Sequence, residues 1–285
     1  MSGLCAALIW GGFPVVTRLG VTSQSLDAWD VAFIRFTVAA LVTLPYLMKH
    51  GFGFRPVGAV VLMVAGIGVP YILTIAQGLS SAPVRLFAAV TPPMMVGLST
   101  LLVSLLYRRL PPRAVLAGVA VIVVGVTMMG ATSLLEDGAS PLGAYLLFLL
   151  GALLWAGFTV TTKETGISAM KATALVSFWS AVCLWPVYLW LKGTAIVHVP
   201  LDVIATQAIY QGILVSVGAL FFYSTAVRAL GAIAGSTFAA LVPGFATVWA
   251  AVLLGEVPSA FAIVSIAVVS TGMIVTLLAG ARRRV

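Results

Sequence analysis

The chemistry this sequence can offer rests on a few polar and aromatic side chains set inside long apolar runs. Arg35 is the most demanding of them. In Phe33-Ile34-Arg35-Phe36-Thr37-Val38-Ala39-Ala40 it stands roughly 10 Å along a helix rising 1.5 Å per residue. A charge at that depth in an apolar segment is costly, and it is a functional candidate by default. A guanidinium there can grip a carboxylate through two parallel hydrogen bonds. It can equally snorkel outward or pair with Asp27 or Asp30 to fix its helix.

The aromatic candidates are Trp10 and Trp155, each with a glycine two residues on (Gly12, Gly157), and Tyr71, Phe87, Tyr223 and Phe238. Gly12 and Gly157 would admit another helix or a ligand close to the backbone, whereas the tryptophans alone fit an interfacial belt. Of the polar candidates, Gln77 needs partners for two donors and an acceptor, while Thr91, Ser80, Ser81 and Ser236 can bond back to their own helices. Pro92, Pro93 and Pro243, with Pro70, are candidate hinges, because proline removes a backbone donor and crowds the preceding turn. Neither a catalytic set nor a metal site is expected: the two histidines and few acids are scattered, and Cys5 and Cys183 fall in apolar stretches.

The elements that carry these residues are apolar helices. Of the 285 residues 62% are hydrophobic and 8% charged, with a mean hydropathy of +1.18. A soluble domain has about 25% charged residues, so the composition is that of an integral membrane protein. Segments of about 20 apolar residues recur roughly at 3–21, 28–48, 57–78, 82–107, 111–131, 140–162, 171–191, 203–229, 232–254 and 258–279, giving ten expected spans. Short links leave no room for a soluble domain, and no signal-peptide pattern precedes the first span.

Alternate loops differ in charge. One side collects Lys49, Arg55, Arg108, Arg109, Arg113, Lys163, Lys171, Arg228, Arg282, Arg283 and Arg284; the other has Arg18, Arg85 and Lys192, with most of the acids. The net charge of +8 is therefore a membrane-topology signal and not a nucleic-acid surface, and it predicts both termini in the cytoplasm.

The sequence also repeats itself. Phe87-Ala88-Ala89-Val90-Thr91-Pro92 returns as Phe238-Ala239-Ala240-Leu241-Val242-Pro243 at an offset of 151, and Ala7–Phe13 returns as Ala152–Phe158 at 145. In that register Arg18 aligns with Lys163, Arg35 with about Ser177, and Leu110-Pro111 with Val257-Pro258. Two halves, 1–134 and 135–285, follow from the common order of the matches. Five spans per half invert the second copy in the membrane, an architecture of secondary transporters that hold substrate between the halves. The expected fold is all-α, with ten transmembrane helices as two inverted five-helix repeats around a central cavity.

The pattern resembles the drug/metabolite transporter superfamily, in its ten-span branch built from two EamA domains. The likeness rests on the Leu-Trp-x-Gly-Phe opening of each half, on Arg35 in its run, and on the two Phe-Ala-Ala-x-x-Pro stretches. Leu253-Leu254-Gly255-Glu256-Val257-Pro258 looks like the family's Leu-Gly-Glu-Arg-Leu element, whereas Arg108-Arg109 replaces Gly-Glu in the first half. The resemblance implies a carrier of small metabolites in a bacterial inner membrane, most like exporters of amino acids, aromatic ones among them. It implies no cofactor, a small solute and the bilayer as partners, and a single chain as the working unit. The expected cavity residues are Trp10, Arg35, Tyr71, Gln77, Phe87, Thr91, Trp155, Tyr223 and Phe238. No acid lies deep in a span, which favours facilitated movement or exchange over proton coupling. The alternatives are a nucleotide-sugar or organophosphate exchanger, which would want several cavity cations, and a multidrug exporter. A membrane enzyme and a scramblase fit the residues and the duplication less well.

Overall fold

The structure is a computed structural model describing residues 1–22, 26–53, 56–137 and 142–281, with the side chains of 231–236 and 281 outside that description. Arg55, Pro141, Arg282, Arg283 and Arg284, and the Ser236 side chain, lie outside the described residues. The first half holds α1 (Ser2–Thr22), α2 (Ala28–His50), α3 (Val57–Ile67), α4 (Val69–Ser81), α5 (Val84–Tyr107) and α6 (Arg113–Asp137). The second holds α7 (Leu142–Thr165), α8 (Ala169–Lys192), α9 (Leu201–Gln207), α10 (Ala219–Thr237), α11 (Val242–Leu254) and α12 (Ala260–Ala281). α6 runs on to Asp137, past the expected divide at 134/135. Among the described residues nine helical segments are long and apolar enough to cross a membrane, and Phe238–Leu254 is a shorter tenth.

Two spans depart from simple helices. The third breaks at Gly68 into α3 and α4, where a Cβ would meet the Val64 carbonyl oxygen at 2.3 Å and Ser180 Oγ at 2.5 Å. Pro70 then sits in the first turn of α4, where its missing N–H is no loss. The eighth span passes from α9 through a π-helical stretch, Ala208–Gly218, into α10. π-Helical turns are rare and gather at functional sites.

The two proline stretches also differ. α5 continues unbroken through Pro92 and Pro93, whereas Phe238–Leu241 is a 3₁₀ turn and Pro243 opens α11. The matched sequences therefore adopt unmatched backbones, and only the second is a helix junction. A proline in a first turn is well accommodated, which allows the break at Pro243.

Helix pairing exchanges the halves. α6 packs along α12 and α2 along α8; α5 packs on α7 as α11 packs on α1; and α3 and α4 meet α7 as the π-helical stretch and α10 meet α1. Swapping the halves maps this pattern onto itself, as a pseudo-two-fold between repeats requires.

An even number of crossings brings Ser2 and Ala281 to one end, the terminal end. The opposite, far end carries most of the ion pairs. There Asp27 caps α2 by accepting from the N–H groups of Trp29 and Asp30, and Asp30 accepts in return from the Asp27 N–H. Lys192 joins Asp27 at 2.6 Å and Asp30 at 3.3 Å, and the Tyr188 hydroxyl donates to Asp30 at 2.6 Å. Arg35 is thus not the partner of either acid. Partial burial opposes the charged form of Asp27, but Lys192 and the hydrogen bonds at the cap outweigh it and hold the carboxyl below its usual range. A carboxyl lowered on folding stabilises the fold above its unfolded pKa and loses that contribution as pH falls through the folded value. The α2 start should therefore stay pinned at neutral pH and loosen only in acid. Hydrogen exchange at Trp29 and Asp30 checks this, and Asp27→Asn should flatten the acid dependence.

Candidate functional site

Between the halves lies a cavity of about 530 Å³, in the size range of small-molecule sites. Its walls follow the pseudo-two-fold. Trp10 of α1 packs against Tyr223 of α10, ring centroids 5.3 Å apart; Trp155 of α7 packs against Tyr71 of α4 at 5.7 Å. Each tryptophan thus meets a tyrosine of the other half, and all four rings line the cavity. Their helices cross here because small residues let them approach: a Cβ on Gly12 would lie 1.9 Å from the Tyr210 hydroxyl, which donates to the Ile9 carbonyl. Gly157 has nothing within 4 Å of a Cβ, so the expected parallel between the two glycines does not hold. Gly66 of α3 takes that role instead, facing the Phe158 backbone nitrogen at 3.0 Å.

Arg35 lines the same cavity from α2. Its Nη1 donates to Gln211 Oε1 at 2.9 Å; Gln211 Nε2 donates to Thr17 Oγ1 at 2.7 Å; and Thr17 donates to the Phe13 carbonyl at 2.8 Å. The guanidinium carbon lies 5.4 Å from the Phe13 ring centroid and 5.8 Å from that of Phe36. Cation–π contacts of this kind contribute about 0.5–2 kcal/mol and offset part of the desolvation of the charge. Among the described residues Arg35 has no carboxylate partner, and its buried Nε has no hydrogen-bond partner at all. Ser177, its counterpart in the other half, also lines the cavity.

Other expected residues are placed elsewhere. Gln77 is exposed on α4 and does not line the cavity. Thr91 is fully buried and donates to the Phe148 carbonyl at 3.0 Å, tying α5 to α7, and it does not line the cavity. Phe238 covers Gly3, where a Cβ would sit 2.2 Å from its ring. Phe87 and Pro92 reach the cavity wall, Phe87 in edge contact with Phe13 and Phe148, whereas Pro93 and Pro243 are buried outside it. Gln211, Phe13 and Lys163 are the additions. Gln211 was legible in principle, since an amide well inside the expected span 203–229 needs membrane partners more than Gln77 at the end of 57–78 does.

The cavity is open at one end. Lys163 and Ala169, which line it at the terminal end, are exposed. At the far end Arg18 forms an ion pair with Glu256, and its Nη1 donates to the carbonyls of Leu79 and Ala82 at 2.6 and 2.5 Å. The other oxygen of Glu256 accepts from the Val84 N–H at 2.8 Å. This group ties α1, the α4–α5 link and the end of α11 over a plug of fully buried Leu79, Val84 and Leu86. The register of the repeat pairs Arg18 with Lys163 and Glu256 with Arg109, so the two matched positions at the terminal end are both cations, and Lys163 pairs instead with its neighbour Glu164 at 3.9 Å. Among the described residues no three His, Cys, Asp or Glu side chains come together to hold a metal ion.

A model of the EamA-like transporter family matches the chain twice, over residues 1–131 and 142–278. Fourteen chains of solved structures match it as well. One, described as a crystal structure of a protein, superposes with a TM-score of 0.65 at 19% identity, over 99% of this chain and 97% of its own. At that identity the likeness speaks for the fold alone. Among curated proteins none matches.

Proposed function

Because the chain belongs to the EamA-like transporter family, a membrane-transporter family of the drug/metabolite superfamily, we propose that it exports neutral or aromatic amino acids and related small metabolites by alternating access. The halves 1–134 and 135–285 act as the inverted repeats that rock about the cavity. One observation carries this reading: a cavity walled by tryptophan–tyrosine pairs exchanged between the halves, open at the terminal end and latched at the far end by Arg18 and Glu256. The basic residues of the terminal end support an orientation with that end in the cytoplasm and the far end outside, in the inner membrane of a bacterial cell. The structure then corresponds to the inward-facing state. Among the described residues the cavity lining contains no Asp or Glu, which fits facilitated movement or exchange and does not favour a cationic multidrug cargo.

Counterflow in proteoliposomes, with labelled amino acids, phosphorylated sugars and quaternary amines, tests the proposal. Saturable amino-acid flux indifferent to an imposed proton gradient is expected. Saturable flux of phosphorylated sugars alone would turn the reading to the organophosphate exchanger, for which Arg35 and Lys163 in one cavity are the supporting observation. Proton-driven amine flux would turn it to a multidrug pump.

A further inference from the structure

We infer that Arg35 is the recognition site for a substrate carboxylate, and that the cavity selects small amphipathic carboxylates whether or not they carry an ammonium group. This rests on the transporter reading and names the cargo of the same cavity. Three observations carry it. First, the guanidinium is oriented by the chain Arg35–Gln211–Thr17, which uses Nη1 only. Second, Nε is enclosed without an acceptor, and among the described residues Nη2 makes no hydrogen bond to protein. Nε is enclosed beyond a ligand's reach, so the donors left for cargo are at Nη2, where a carboxylate would accept charge-assisted hydrogen bonds. Third, no acid among the described lining residues waits for an ammonium, and the second charged lining residue, Lys163, is a cation paired with its neighbour Glu164.

The surroundings favour one carboxylate on an apolar body. Phe13 and Phe36 flank the guanidinium, and the two tryptophan–tyrosine pairs supply flat walls for a ring or a branched chain. A decarboxylated amine of the same shape meets two like charges and no acceptor acid.

The test uses the full chain in lipid nanodiscs and four ligands with one phenyl body: 3-phenylpropanoate, 3-phenylpropanamide, 3-phenylpropylamine and phenylalanine. Trp10 and Trp155 line the cavity, so tryptophan fluorescence reports binding. The carboxylate is expected to bind about tenfold or more tighter than the amide, with the amine weakest and phenylalanine no tighter than phenylpropanoate. In Arg35→Gln the preference for carboxylate over amide should vanish while amide affinity stays within about threefold. Equal wild-type affinity for carboxylate and amide, tightest binding of the amine, or a preference that survives Arg35→Gln would each overturn the inference. If Arg35→Gln does not fold, the wild-type series decides alone. Saturable flux of amines or sugars without carboxylate binding would sink the site and leave the carrier. Carboxylate binding without flux of any solute would sink the carrier and leave the site.

Discussion

Glu256→Gln shifts the resting protein towards the state open at the far end, by roughly 30-fold in the ratio of the two states. The figure is about 2 kcal/mol for a charge-assisted contact intact in one state only. The Arg18 and Glu256 side chains are 20% and 14% exposed, so solvent screens this pair less than a surface one. Arg18→Gln should act more strongly, because it also releases the carbonyls of Leu79 and Ala82. The measurement is labelling by a membrane-impermeant maleimide of a cysteine at Ala82, 1% exposed behind the latch, in a background lacking Cys5 and Cys183. Wild type should label slowly and both variants fast, while a cysteine at Thr173, on the cavity wall, should change in the opposite sense. The absence of a matching latch at the terminal end gives a complementary variant. Arg109→Glu places an acid in register with Lys163 and should favour the state closed there, by about 1 kcal/mol, since both residues are exposed in the present state. Unchanged labelling in all three variants would show that the ion pair merely decorates the far end.

The second large effect is on assembly. α6 and α12 approach so closely that a Cβ on Gly272 would lie 2.7 Å from the Ile122 backbone nitrogen and 3.0 Å from the Gly118 carbonyl oxygen. Gly118 and Gly125 face the Thr276 and Val269 backbones in the same way. In lipid such contacts rest on close packing, since apolar side chains gain little by leaving an apolar solvent. Backbone atoms cannot rotate aside as a flexible side chain can. Gly272→Leu should thus push the two helices apart and destabilise the protein by about 3 kcal/mol or more. Thermal unfolding in detergent, followed by fluorescence-detected size exclusion, reads the loss. Gly280→Leu, where nothing lies within 4 Å of a Cβ, is the control and should melt as wild type does.

The two experiments probe different links between sequence and function. Gly118, Gly125 and Gly272 hold together the symmetric pair of helices at the periphery, and their effect is on folding. Arg18, Glu256 and Arg109 differ in charge between the two ends, and their expected effect is on which way the cavity opens. A carrier built from two copies of one domain needs such a difference if its two states are to differ in population. The proposed carrier would draw it from the acid Glu256 standing where the first half has Arg109.

What the sequence determined by itself is the membrane architecture. Hydrocarbon leaves backbone groups no partner but each other, so apolar runs of sufficient length must be helices, and their number, their order and most of their limits were legible. The end expected at 131 extends to Asp137, and the divide expected at 229–232 falls after Thr237, where α10 ends. The echoes Ala7–Phe13 with Ala152–Phe158 and Phe87–Pro92 with Phe238–Pro243 revealed the duplication, because repeated packing demands leave repeated residues. Which side chains face the cavity was a different matter. These helices are apolar all round, so no polar stripe marks an inner face, and nothing local sets Thr91 apart from the residues that line the cavity. Their separation depends on contacts between the halves: Thr91 turns to Phe148 of α7, 57 residues on, and Gln211 reaches Thr17 and Arg35, 194 and 176 residues away, through the π-helical stretch. The break at Pro243 against the unbroken Pro92–Pro93, and the latch at one end alone, were likewise decided by tertiary packing. Each depends on what stands opposite in space, and local residue preferences carry no record of that.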